Sequence, residues 1–85
     1  MKLEEIVSEL DVFVRGRFEI EADDEDYAAD VNLFDYGYVD SMGATEIVLF
    51  AEERFGIQIT QKDVTLYPMN SVQEIAAVIA AKLGA

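Results

Sequence analysis

The sequence predicts an all-α fold, a small four-helix up-and-down bundle with a long loop between its first two helices and a short third helix. Three observations carry that reading. Apolar residues recur at three- and four-residue steps in three separate segments, and no stretch alternates apolar with polar residues as a half-buried strand would. A single proline, Pro68, together with glycines and helix-capping residues, punctuates the segments. At 85 residues the chain has room for one domain, 1–85, and a chain of that size buries only about 60–65 % of the surface its unfolded form exposes.

The elements follow in order. Leu3, Ile6, Val7, Leu10, Phe13 and Val14 line one face of a helix running from about residue 2 to 17, with Glu4, Glu5, Glu9, Asp11 and Arg15 on the other side. Residues 19–40 lose this period and form a connection longer than most compact domains tolerate without a functional reason. Leu33, Phe34, Tyr36 and Val39 are expected to pin it to the core. With Asp40 or Ser41 as N-cap, a helix over 41–55 carries Ala44, Ile47, Val48, Ala51 and Phe55 along its buried stripe, and Gly56 takes the left-handed position after its last turn. Ile57 and Ile59 form a short apolar pair. Thr60, with Asp63 three residues on, caps one or two helical turns that end before Pro68. Ser71-Val72-Gln73-Glu74 is a capping box, and the helix it opens, reaching about Lys82, buries Val72, Ile75, Ala76, Ile79 and Leu83.

Composition excludes several classes of function. The formal net charge is −12, from 18 acidic and 6 basic residues, which repels nucleic acid and anionic lipid and favours partners with basic faces. No segment approaches the roughly 20 apolar residues that span a bilayer, so no membrane insertion is expected. The amino terminus lacks the apolar core of a signal peptide. There is no cysteine, hence no disulfide framework, and a reducing cytoplasm is the expected location. Nine of the acids fall in residues 19–40, where there is no Lys or Arg. The best calcium-loop register there starts at Asp30 and fails, because Phe34, Asp35 and Ser41 stand where a ligand, a glycine and a bidentate Glu are needed. No metal site is expected.

The informative position is Ser41, at the end of Leu33-Phe34-Asp35-Tyr36-Gly37-Tyr38-Val39-Asp40-Ser41-Met42-Gly43 and at the start of a helix. Unpaired amides and the positive end of the helix dipole there readily accommodate a phosphate. Catalysis by Ser41 itself is disfavoured: the chain has no histidine, its lysines lie at 2, 62 and 82, and no Gly-x-Ser-x-Gly elbow surrounds it. Modification by another enzyme, which brings its own base, asks only for exposure. Gly37, Asp40, Ser41 and Met42, in this order, resemble the attachment site of the acyl carrier protein family, and the four-helix layout with its long first loop is similar over nearly the whole chain.

That resemblance implies a carrier domain whose cofactor is 4′-phosphopantetheine, moved from coenzyme A onto Ser41 by a phosphopantetheinyl transferase, with Asp40 part of the attachment motif. It implies an acyl or aminoacyl thioester on the arm, loaded by a ligase or synthase and passed to downstream acyltransferases, as in fatty acid, polyketide or nonribosomal peptide biosynthesis. A monomer that is not an enzyme is expected. Met42, Glu46, Leu49, Glu52 and Glu53 on the second helix are the expected docking residues, since carriers present acids on the matching helix to basic patches. Departures narrow the likeness. Met42 and Gly43 replace the usual Leu and Asp, Arg54 interrupts the acids, and Asp40-Ser41-Met42-Gly43 looks more like D-alanyl and other freestanding specialised carriers. A short cargo is therefore expected, with Phe13, Phe18, Phe34, Phe50 and Phe55 limiting room for a long chain. The competing reading is an unmodified acidic module that docks basic partners through the same helix.

Overall fold

A computed structural model describes residues 1–84. It contains α1 (Leu3–Arg17), α2 (Ser41–Phe55), α3 (Gln61–Leu66) and α4 (Val72–Leu83), and no strand among the described residues. The four-helix bundle predicted from periodicity is thus the observed fold. Ile6, Leu10 and Val14 of α1, Ile47, Ala51 and Phe55 of α2, and Val72, Ile75, Ala76 and Ile79 of α4 form its core, while α3 buries no residue. α4 packs most extensively on α1.

Between α1 and α2 the contact is a three-rung ladder. Arg54 donates from Nε (2.6 Å) and Nη2 (2.9 Å) to the carboxylate of Glu9. The rings of Phe13 and Phe50 stack at 4.1 Å. Arg17 donates from Nε (3.0 Å) and Nη2 (2.7 Å) to Oε1 of Glu46. The sequence steps by four on both helices, upward through 9, 13 and 17 and downward through 54, 50 and 46, so each helix presents one stripe and the pair runs antiparallel. Two of the fold's phenylalanines therefore separate α1 from α2.

Local chemistry sets the helix ends. Asp40, Thr60 and Ser71 each accept a hydrogen bond from the N–H three residues ahead. At α3 the box is reciprocal, Asp63 accepting from the Thr60 N–H at 2.8 Å. At α4 the return bond reaches one residue further than the predicted box: Glu74 accepts from Asn70, at 2.9 Å. Gly56 and Gly84 close α2 and α4 in the left-handed conformation. α1 ends without a glycine. Glu19 takes the left-handed φ of 55°, and Ile20 N–H reaches back to Arg15 C=O at 3.0 Å while its side chain is buried, a Schellman closure.

The long loop is tied down at several points. Leu33 N–H donates to Asn70 C=O (2.8 Å) and Gln73 N–H to Ala29 C=O (2.9 Å), fixing the loop to the start of α4. Tyr27 is buried, donates to Asp11 at 2.6 Å, and lies 4.3 Å beneath the guanidinium of Arg15. Burial, then the Asp11 bond, push its phenol upward in pKa. Four expected core residues differ. Leu33 and Val39 are buried as expected, but Phe34 and Tyr36 are exposed, because both lie within the turn that the Tyr38 and Val39 N–H bonds to Leu33 C=O close between those anchors. Leu3 and Leu83 are exposed as well, since each stands at a helix end where no neighbouring helix covers the stripe.

Candidate functional site

The start of α2 is prepared by the turn before it. Asn32 Oδ1 accepts from the N–H groups of Phe34 (2.9 Å) and Asp35 (3.0 Å), and Leu33 C=O accepts from Tyr38 (3.0 Å) and Val39 (3.2 Å). Gly37 closes this turn at φ 76°, a value a side chain would strain. Tyr38 donates to Asp24 at 3.0 Å, and its partial burial followed by that bond push its phenol up to about 12. The segment that delivers Asp40 and Ser41 is thus wound on its own hydrogen bonds and anchored by buried Leu33.

Of the two expected N-caps, the structure selects Asp40: its backbone is extended and Oδ1 accepts from Gly43 N–H at 2.8 Å. Ser41 is consequently the first helical residue. It is exposed, and among the described residues its hydroxyl has no hydrogen-bond partner, nor do the backbone N–H groups of Ser41 and Met42. A nucleophilic oxygen and two amide donors therefore face outward together at the positive end of a 15-residue helix.

Behind this turn, Gly43 is buried against the ring of Phe18. The sequence singles out Phe18 only as a ring limiting cargo space, and Arg17 not at all. They follow the first helical stripe, and only the antiparallel return of α2 brings them to positions 43 and 46. On the opposite flank, a cleft of about 360 Å³ opens between α2 and α3, walled by residues such as Ala44, Ile47, Val48, Leu66 and Ile75. Ala44 and Val48 stand three and seven residues after Ser41, on the same helix stripe, so the cleft begins beside the serine. Of the five phenylalanines expected to limit space, Phe34 alone lines it. The others face elsewhere, and the expected aromatic obstruction does not apply to this cleft.

The five docking candidates do not form one uniform acidic face. Met42 is 78 % exposed, Leu49 51 %, and Glu53 is exposed with no ion-pair partner among the described residues. Glu46 is half-buried and holds Arg17, and Glu52 Oε2 accepts from Ile59 N–H at 3.0 Å, stapling the segment after α2. Arg54, the cation that interrupts the acids, is itself held by Glu9.

A helical carrier fold with an exposed serine at a capped helix start defines a class, and comparison with known families agrees. The family model for the phosphopantetheine attachment site matches residues 15–79, well over half the chain, and the protein belongs to this family. No curated protein matches it. The matched domain is the site of covalent 4′-phosphopantetheine attachment, and such domains interact with the phosphopantetheinyl transferase that modifies them and with biosynthetic enzymes. No helix among the described residues is long and apolar enough to cross a membrane.

Proposed function

We propose that Ser41 bears the phosphopantetheine arm and that the protein, without catalysing a reaction itself, holds an acyl or aminoacyl group on it as a thioester for delivery to partner enzymes. The observation that supports this most is the division of labour at the start of α2. Asp40 caps the helix, so the Ser41 hydroxyl is not needed for folding and stands exposed and unpaired. In the modification, Ser41 Oγ attacks the phosphorus of coenzyme A that bears the pantetheine. The new P–O bond replaces the pyrophosphate bond, adenosine 3′,5′-bisphosphate leaves, and the hydroxyl proton passes to a base of the transferase. The arm brings the protein its only thiol, since the chain has no cysteine. Thioester formation is thereby confined to one sulfur.

Incubation with coenzyme A, magnesium and a broad-specificity phosphopantetheinyl transferase is expected to add one phosphopantetheinyl group by intact mass. Ser41→Ala is expected to abolish the addition while helical circular dichroism is retained. Addition at Ser8 or Ser71 would refute the assignment, and no addition at all would favour the unmodified docking module. For the cargo, the Met42 and Gly43 departures support a specialised short acyl or aminoacyl group, whereas the cleft beside Ser41 gives a longer chain room. Amide shifts of the short- and long-acyl forms separate these: movement at Ala44, Ile47 and Val48 with the long chain alone places that chain in the cleft.

A further inference from the structure

We infer that the phosphodiester at the root of the arm is seated on Arg17, in the hollow between the end of α1 and the start of α2, and that Glu46 and Phe18 hold the guanidinium in place for it. The inference rests on the carrier reading of Ser41 and adds to it the side on which the arm leaves the helix. Ser41 stands on a divide. With about 3.6 residues per turn, Thr45 lies about 40° around α2 to one side of it, and Val48 and Ala44 about 20° and about 60° to the other. Thr45 belongs to a hollow that it shares with Arg17, Phe18, Met42 and Glu46, whereas Val48 and Ala44 belong to the cleft facing α3. A phosphoryl group on Ser41 Oγ can lean to either side, and charge distinguishes the two. Among the described residues, the cleft has no cation in its walls, nor does the hollow over Gly37 and Tyr38 on the loop side. The hollow toward α1 has Arg17.

Arg17 is arranged to take an anion without giving up its present partner. Nε and Nη2 both donate to Oε1 of Glu46, at 3.0 and 2.7 Å, while Nη1 donates to no group among the described residues. A guanidinium carries five N–H donors in a fixed fork, so the Glu46 bonds leave the Nη1 edge open to a phosphate oxygen. The pair is exposed, its side chains at 50 % and 40 %, and therefore orients the cation without withdrawing it. Helical side chains lean toward the N-terminus of their helix, so Glu46 carries the guanidinium back over the turn that begins at Met42. Beneath it, the Phe18 ring lies with its centroid 5.4 Å from the guanidinium carbon, and the same ring packs under Gly43. Two carboxylates border the hollow. Arg17 stands on that of Glu46, and Asp40 Oδ1 accepts from Gly43 N–H at 2.8 Å. In a chain of net charge −12, one more negative group is unfavourable over most of the surface, and beside Arg17 that cost is offset. The other paired cations are engaged elsewhere, Arg15 with Asp11 and Tyr27, Arg54 with Glu9 and Lys82 with Asp63.

The test uses the full chain before and after a broad-specificity transferase has installed the arm from coenzyme A. In the wild type, the side-chain N–H resonances of Arg17 are expected to shift on modification, and the amides of Phe18, Thr45 and Glu46 to move more than those of Ala44 and Val48. Arg17→Gln is expected to displace the phosphorus resonance of the arm. It should also make the arm about two- to fivefold less favourable to the fold, read as the ratio of unfolding constants with and without modification. Arg54→Gln removes the same charge at the other end of the α1–α2 ladder, and is expected to do neither. Equal effects of the two variants would reduce Arg17 to a share of the net charge and overturn the assignment. So would a wild-type response confined to Ala44, Val48 and the rest of the cleft, which puts the root of the arm there. If Arg17→Gln does not fold, the wild-type arginine resonances decide by themselves: unmoved on modification, they sink the proposal. If the wild-type chain takes no phosphopantetheine at all, the carrier reading has failed instead.

Discussion

At position 43 a hydrogen is the largest side chain that fits without displacing a neighbour. A Cβ placed there would lie 2.7 Å from Cε1 of Phe18, closer than such atoms approach, and a tight 3.0 Å from Cγ1 of Val39, so with any residue but glycine at the start of α2 the Phe18 ring must move. Two effects compete in Gly43→Ala. Overpacking costs about 1–3 kcal/mol, while alanine's helix propensity returns about 1 kcal/mol. The expected result is a net loss in the wild-type background and a net gain in Phe18→Ala, where the obstructing ring is gone. Chemical denaturation of the four variants measures that change of sign, and additivity would show that the two residues do not meet. The partnership explains why the residue after Met42 departs from the carrier pattern, and it could not be read from the sequence, since 18 and 43 meet only through the tertiary fold. Asp40 and Ser41 were legible for the opposite reason. Capping is a contact between residues three apart, and a local rule finds it.

Among the elements, α3 depends most on a single side chain. It has six residues and buries none of them; Asp63 closes its capping box and receives Lys82 Nζ at 2.8 Å. The Lys82 bond first, then the bond from the Thr60 amide, hold the Asp63 carboxyl down to about 2. A carboxyl with a lowered folded-state pKa stabilises the fold above its unfolded value, 3.8, and loses that contribution as pH falls toward about 2. Wild type is therefore expected to melt above Asp63→Asn near neutral pH, with the gap closing between about pH 4 and pH 2. A gap that stays constant through that range would remove Asp63 from the role. Helix positions were legible because each has a local start or stop signal, including the left-handed Gly56. The loop was less so. Ile20 and Tyr27 are buried in a segment with no period to reveal a face, and Tyr27 is placed by Asp11, sixteen residues earlier. Leu3 and Leu83 obey the period yet lie beyond the neighbouring helices, which periodicity does not report.

For the molecule as a whole, charge is the dominant strain. Four of the six cations, Arg15, Arg17, Arg54 and Lys82, are paired within the fold, so most of the 18 acids repel one another across a body with a radius of gyration of 12.0 Å. Salt weakens both the repulsion and the ion pairs. The pairs are largely exposed and worth about 0–1 kcal/mol each, so relief of repulsion should win. Raising ionic strength from about 0.01 M to about 0.15 M, which shortens the Debye length from about 30 Å to about 8 Å, is expected to raise the melting temperature. A melting temperature that falls over this range would show that the ion pairs outweigh the repulsion.

The ladder between α1 and α2 also fixes a direction. At one end the acid, Glu9, belongs to α1 and the cation, Arg54, to α2; at the other the cation, Arg17, belongs to α1 and the acid, Glu46, to α2. Reversing either helix would set Glu9 against Glu46 and Arg17 against Arg54, like against like at both ends, while leaving the Phe13–Phe50 stack able to form. The aromatic rung thus attracts without regard to orientation, and the charged rungs act as a polarity key that admits one of the two alignments. Each rung is also neutral by itself, so in a chain otherwise crowded with negative charge this seam can close without adding to the repulsion around it.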